Sequence, residues 1–438
     1  MKALNRVRIL PRTTNRIIIA RPLSSISTTP TSTSTQTYRA MSTDTQRPLS
    51  GQTKVSVFPP SMEKVKADHW GNANGTAFVN PWLSFRPVAS KDLASLFWAM
   101  RRHDPLLKRA KEIIPYVTPT FGRTLPSNQL RSTWLGHACA LIEMPTPNAL
   151  AAEKEKSARG VRVLFDPVLG EGMATFNLGP KRESTTPCDI KDIPQVDAIV
   201  ISHNHYDHLD LPTLTKLYST QKKQYDSEPL LFLPLNNWRT VSGLGVPRAR
   251  VIEMDWWEER EIVVDGVGST KIICTPAQHS SARTPFDKDN SLWSSWALKD
   301  KPNAEGKAAS VWFGGDTGYC AMHVDSHKLE DLPKGGVCPA FKEIGERLGP
   351  FTLGLIPIGA YDPRIAMSPV HAAPIDSVRI FNDIKCKNAI GIHWGTFRMT
   401  PEPFNEPPQF LEDAAKKVGL KDGAFTVVAI GESTGYDV

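Results

Sequence analysis

Val196-Asp-Ala-Ile-Val-Ile-Ser-His203-Asn-His205-Tyr-Asp207-His208-Leu-Asp210 is the stretch on which the reading of this chain turns. Residues 198–201 form an apolar, strand-like run that passes directly into a polar turn holding three imidazoles and a carboxylate. Imidazole nitrogen and carboxylate oxygen suit zinc, and the lack of thiolates argues against a purely structural site. His203 and His205 can face one side of an extended turn, while Asp207 and His208 turn toward a second position. The plain alternative is a polar surface loop. Histidine fills 11 of 438 positions, so this spacing arises by chance in on the order of one chain in a thousand or fewer.

Downstream, three further ligand candidates each close an apolar run. His279 follows Ile272-Ile273-Cys274-Thr275, Asp316 follows Val311-Trp312-Phe313, and His393 follows Ala389-Ile390-Gly391-Ile392. Loops at strand ends are where a rigid sheet presents chemical groups. Similar runs predict strands at 132–135, 140–143, 161–165, 230–233, 353–358 and 425–429. Helical patterns appear at 211–218, 372–384 and 408–418, the second with Pro374 where a first turn tolerates proline. Stretches 152–160 and 299–307 read as hairpin loops. Many strands with interspersed helices imply a layered α/β architecture.

The order H-x-H-x-D-H, His, Asp, His resembles that of the metallo-β-lactamase superfamily. The resemblance implies an αββα sandwich with two zinc ions at one edge. By matching positions, His203, His205 and His279 would hold one ion, Asp207, His208 and His393 the other, and Asp316 would bridge them. Asp166, in Leu-Phe-Asp-Pro, matches an early aspartate that supports the ligand loop.

Further motifs narrow the resemblance. Phe78-Val-Asn-Pro-Trp82, Thr133-Trp-Leu-Gly-His137, Met254-Asp-Trp-Trp-Glu-Glu259, Pro276-Ala-Gln-His279, Gly314-Gly-Asp-Thr-Gly-Tyr319, Ile358-Gly-Ala-Tyr-Asp-Pro-Arg364 and Ile392-His-Trp-Gly-Thr-Phe397 are similar to phospholipases D that hydrolyse N-acylphosphatidylethanolamine. That implies a phospholipid substrate, an N-acylethanolamine and phosphatidate as products, and a homodimer at a membrane surface. Ser280 and Ala373 depart from the family pattern, which usually has an aromatic and a polar residue there. Two zinc ions sharing a hydroxide supply a nucleophile at neutral pH. The departing ethanolamide oxygen is strongly basic, and His371 is the candidate to assist it. His371 precedes the Pro374 helix, whose free N–H groups are candidates to hold a phosphate, and the alternative is that His371 caps that helix. Asp207, His371 and Asp316 are thus the catalytic candidates. His137 is either support for the metals or a buried structural residue.

Residues 1–43 hold seven basic residues and no acid, and the remaining 45 Lys and Arg balance 45 Asp and Glu. The net charge of +7 therefore lies in the N-terminus, and a neutral body gives no broad surface for nucleic acid. The basic, Ser/Thr-rich start with Ile17-Ile18-Ile19 reads as a mitochondrial transit peptide, directing the chain to a peripheral place on the inner membrane. The alternative is a disordered basic tail, and a start at Met41 would give a cytosolic form. This organises the chain as a transit segment and linker at 1–45, an N-terminal segment at 46–130 with a lipid-facing helix, and a hydrolase domain at 131–438. In that helix Leu93, Leu96, Phe97 and Met100 share a face, with Arg101 and Arg102 close behind. An ordinary packed helix is the competing reading. Six scattered cysteines without a CxxC pair read as buried thiols. Two other functions stay open: a phosphosugar-lactone hydrolase on the same fold, and a non-catalytic lipid-binding scaffold.

Overall fold

The computed structural model describes residues 55–58 and 67–438, except 102–103, 148–158, 174–178, 303–305, 329, 332 and 334. The transit segment therefore lies outside the described residues. Fifteen strands build the two sheets of the described chain: β1 Val55–Phe58, β2 Leu130–Gly136, β3 Cys139–Glu143, β4 Arg162–Phe165, β5 Ala198–Val200, β6 Leu230–Pro234, β7 Val251–Met254, β8 Glu259–Val264, β9 Gly268–Thr275, β10 Ser295–Lys299, β11 Ser310–Phe313, β12 Leu353–Pro357, β13 Ala389–Ile392, β14 Phe425–Thr426 and β15 Ser433–Tyr436. The longer helices are α1 Ser90–Ala99, α2 Leu211–Tyr225, α3 Ala340–Arg347, α4 Pro374–Asp383 and α5 Glu406–Lys417.

One sheet runs β15-β2-β3-β4-β5-β6-β7 and the other β1-β8-β9-β10-β11-β12-β13-β14. Each is antiparallel in its first half and parallel in its second, beyond β4 and β11. In the inner strands β5, β6, β11, β12 and β13 every residue is buried because both faces are covered, which is why the sequence shows continuous apolar runs there. Alternation still sorts the faces. Ala140, Ile142, Val163, Phe165, Val200 and Phe232 join the core between the sheets, where Phe165 stacks on Phe313 with centroids 4.5 Å apart. Leu141, Leu164, Ile199, Leu231 and Leu233 point the other way and pack under Leu214 and Leu217 of α2. On the far side Phe341 of α3 meets Trp312 edge-on, and Ser377 of α4 donates to the Pro357 carbonyl. This is the αββα arrangement that the resemblance implied.

Strands β1, β7, β8, β10 and β15 fall outside the sequence expectation. Strand β8 opens Glu259-Arg260-Glu261 and is only half-buried, so its charges hide its character. Trp256 and Trp257 sit in the turn between β7 and β8, with Trp257 in the left-handed region at φ 69°. Trp256 there stacks on His69 and Trp82, and His69 bonds the buried Asp255 at 2.6 Å. Both predicted hairpin loops join antiparallel neighbours, β3 to β4 and β10 to β11. The six cysteines are free, and all but the half-buried Cys188 are buried.

Candidate metal centre

Strands β2, β4, β5, β9, β11 and β13 all deliver their carboxyl ends to one edge of the sandwich. Crossing bonds fix that edge: Ser294 N–H donates to the Ser202 carbonyl at 2.9 Å, and His393 N–H to the His137 carbonyl at 2.9 Å. The chain must reverse sharply there, and His137, Asp166 and His393 adopt positive φ of 51°, 36° and 64°. Such backbone strain concentrates at functional sites. Gly315, at φ 56°, is confined to glycine by space as well: a Cβ would lie 2.5 Å from Cβ of Ser202.

All seven sequence-predicted ligands meet at this edge, buried to nine-tenths or more except the half-buried His205. His203, His205 and His279 form one group, with His203 Nε2 at 2.8 Å and His279 Nε2 at 3.3 Å from His205 Nδ1. Asp207, His208 and His393 form a second, and His137 joins it. Asp316 lies between them. Its Oδ2 stands 3.2 Å from His208, 4.0 Å from His203 and 3.8 Å from His279, while Oδ1 stands 2.9 Å from His393.

Behind the ligands, Asp166 is fully buried. Its Oδ1 accepts the Ser202 N–H at 2.7 Å, and its Oδ2 accepts from the Ser202 hydroxyl at 2.5 Å and from His208 Nδ1 at 2.7 Å. This bond leaves Nε2 of His208 to face the cluster, the orienting role that metal-site histidines require. His279 is oriented likewise by the Val370 carbonyl, 2.8 Å from Nδ1.

His137 is more than a core histidine. Its Nε2 bonds Asp207 at 3.0 Å, and its ring lies 4.0 Å from that of His393. The one local signal was its place at a strand end after Leu135-Gly136. His371 does not cap α4, since its Nδ1 faces Asp316 at 3.8 Å and has no hydrogen-bond partner. Nor is the start of α4 free for a phosphate. Asp376 Oδ2 accepts the Ala373 N–H at 3.2 Å and pairs with the buried Arg364 at 2.9 Å. A carboxylate already occupies the anion-binding end of that helix.

Electrostatics divides the cluster. Burial pushes His203 and His279 well below the usual histidine range, His205 down, His137 down to about 3 and His371 down to about 4. Burial also opposes charge on His208 and His393, but Asp316 and Asp207 override it, raising His208 strongly and His393 to about 9. Both carboxylates are held well below their ordinary range, because His208 and its neighbours outweigh the burial that would raise them. Several buried polar atoms nevertheless make no aligned hydrogen bond: Nε2 of His208, both ring nitrogens of His393 and Oδ1 of Asp316. His208, Asp316 and His393 each belong to or adjoin a group whose ligand atoms all lie within 4.8 Å of one another. An N/O donor set of this kind, without thiolate, fits divalent cations of the zinc type.

Comparison with known proteins agrees with this geometry. A family model described as a β-lactamase superfamily domain matches residues 161–394. An N-acyl-phosphatidylethanolamine-hydrolyzing phospholipase D of Caenorhabditis elegans is 32% identical over 374 residues, covering 82% of this chain and 92% of that protein. A mitochondrial protein of the same name from Saccharomyces cerevisiae is 32% identical over 297 residues, or 67% of this chain and 53% of its own length. Among solved structures, the metallo hydrolase Igni18 of Ignicoccus hospitalis aligns with TM-score 0.43 at 18% identity, over 71% of this chain and 99% of that one.

Proposed function

The chain belongs to the metallo-β-lactamase superfamily, and on that premise we propose that it is a two-zinc phosphodiesterase of the phospholipase D type. Its substrate in this reading is N-acylphosphatidylethanolamine, and its products are an N-acylethanolamine and phosphatidate. The observation that carries the reading is Asp316, a single carboxylate whose two oxygens face imidazoles of both ligand groups. The similarity to the worm and yeast phospholipases D supports the choice of substrate.

His203, His205 and His279 would hold one zinc and Asp207, His208 and His393 the other, with Asp316 shared. Zinc held there lowers the pKa of water from about 16 to about 7 and stabilises charge on a phosphoryl oxygen. The chain's own groups do the rest. Asp166 and Ser202 keep His208 and His203 turned inward, and His137 steadies Asp207. His371, beside Asp316 and with its ring 5.2 Å from that of His279, is kept neutral by burial and is placed to donate a hydrogen bond to the departing ethanolamide oxygen.

A lipid substrate requires contact with a bilayer, and the surface near the site supports it. Leu83 and Phe286 are 92% and 94% exposed. They flank the His279 loop, where Asn80 donates to the His279 carbonyl at 2.8 Å. On α1, Phe97 and Trp98 are exposed and Arg101 lies over both rings, while Leu96 and Met100 are half-buried. Phe97 and Trp98 are therefore apolar side chains that this helix offers to lipid. No helix among the described residues is long and apolar enough to cross a membrane. Peripheral binding as a homodimer on the inner mitochondrial membrane completes the proposal, in line with the yeast relative's name and the basic residues 1–43. Nothing in the site favours a sugar lactone or a scaffold without catalysis.

The test is mass spectrometry of products after incubating the full chain with N-acylphosphatidylethanolamine in mixed micelles. Phosphatidate and N-acylethanolamine from the wild type, and neither from Asp316→Asn, is the expected result. A zinc-loaded wild type that releases neither product refutes the substrate assignment.

A further inference from the structure

Arg283 stands four residues beyond His279, on the loop that leaves the metal centre. Its Nη1 donates to the Asn204 carbonyl at 2.9 Å and to the Leu209 carbonyl at 2.8 Å. Those two carbonyls bracket the segment that carries His205, Asp207 and His208. The guanidinium carbon lies 3.9 Å from the centroid of the Tyr206 ring, and the Tyr206 hydroxyl donates back to the Arg283 carbonyl at 3.1 Å. The loop end is itself pinned, because Asp287 Oδ1 accepts the N–H groups of Arg283 at 3.0 Å and Thr284 at 2.7 Å. Among the described residues no carboxylate forms an ion pair with this guanidinium, which is only partly exposed. An arginine kept for surface solvation or for an ion pair would not be placed in this way. Its charge is directed instead at main-chain oxygens of the ligand turn, where charge-assisted bonds are strong and directional.

We infer that Arg283 is a positioning residue for the metal centre, a clasp that joins the His279 loop to the H-x-H-x-D-H turn and holds both in metal-binding geometry. The turn is short, with His208 N–H and Leu209 N–H both bonded to the His205 carbonyl. A small rotation about residues 204–209 would carry His205 away from His203 and His279. The clasp opposes that rotation from both ends of the turn. Partners of this kind behind metal ligands typically change metal affinity by about 10- to 100-fold when removed.

The inference rests on the two-zinc reading above, and the experiment separates the two. Zinc-loaded full chain, Arg283→Met and Arg283→Lys are titrated with a chromophoric chelator, and melting temperature at saturating zinc is recorded alongside. Arg283→Met keeps the aliphatic stem without donors, and it is expected to surrender zinc at about 10- to 100-fold lower chelator strength than the wild type. Arg283→Lys keeps one charged donor and is expected to regain part of that loss. Equal zinc retention by Arg283→Met and the wild type overturns the clasp and leaves the metal reading intact. A loss that Arg283→Lys does not reduce, and that follows a lowered melting temperature, also overturns it in favour of simple packing. If Arg283→Met does not fold, Arg283→Gln takes its place, because its shorter, neutral side chain cannot reach both carbonyls and wild-type zinc retention by that variant contradicts the geometry. A wild type that binds no zinc refutes both readings together.

Discussion

Asp166→Asn tests the support beneath the ligands with almost no change of volume. The carboxylate accepts three bonds, from Ser202 N–H, the Ser202 hydroxyl and His208 Nδ1, and it is fully buried. An amide offers one oxygen. If that oxygen keeps the Ser202 N–H, the NH2 group faces His208, which must then carry its proton on Nε2, the nitrogen directed at Asp316 and Asp207. If the amide flips, the NH2 group opposes the Ser202 N–H and leaves a buried donor unpaired. Each orientation loses a charge-assisted bond of about 1.5–3 kcal/mol or an unsatisfied donor of about 1–3 kcal/mol. At about 1.4 kcal/mol per tenfold, zinc affinity at the Asp207–His208–His393 group should fall roughly 10- to 100-fold. Equilibrium dialysis against buffered free zinc measures it, with urea unfolding of the metal-free protein as the control for global damage. Two zincs bound by Asp166→Asn within threefold of wild-type affinity would refute the argument that His208 is held in one tautomer by this carboxylate.

Burial pushes the Asp300 carboxyl up to about 7 from an ordinary 3.8. Between those values the folded chain keeps a proton that the unfolded chain has lost, so stability falls as pH rises through the window, by at most about 4 kcal/mol. Urea midpoints of Asp300→Asn should match the wild type near pH 4 and exceed it at pH 8, and a difference independent of pH contradicts the assignment. Gly315→Ala adds a left-handed strain and a clash with Ser202, so it should destabilise by about 1–3 kcal/mol and depress turnover, read by urea unfolding and product release. A wild-type midpoint for that variant would show that the loop before Asp316 has room to shift. Phe97→Ser with Trp98→Ser should weaken sedimentation with anionic vesicles at least about tenfold, since both rings are exposed apolar area. Unchanged vesicle binding would leave α1 as an ordinary surface helix.

The cluster of candidate ligands was legible because its core is contiguous. His203, His205, Asp207 and His208 lie within one turn, and His279, Asp316 and His393 each end an apolar run that became β9, β11 or β13. Strand and helix periods are local properties, so the buried strands of the parallel halves and the amphipathic helices α2, α4 and α5 could also be read from the residues. Charge balance between residues 1–43 and the rest is likewise a property of composition alone.

What the order of residues left open was convergence. The part His137 plays depends on β2, β3, β4 and β5 pairing in that order, which sets its ring against Asp207, 70 residues later. His371 was an even choice between a cap and a site residue until the loop before α4 placed it by Asp316, and the same helix start proved to be taken by Asp376 and Arg364. Strands β8 and β10 owe their place to partners rather than to pattern, and Arg283 reads as an ordinary basic residue until the two loops meet. Local sequence specifies periodicity and turn chemistry. Contacts between residues far apart are selected only when two sheets close on a common core, because only that packing brings the strand ends to one edge.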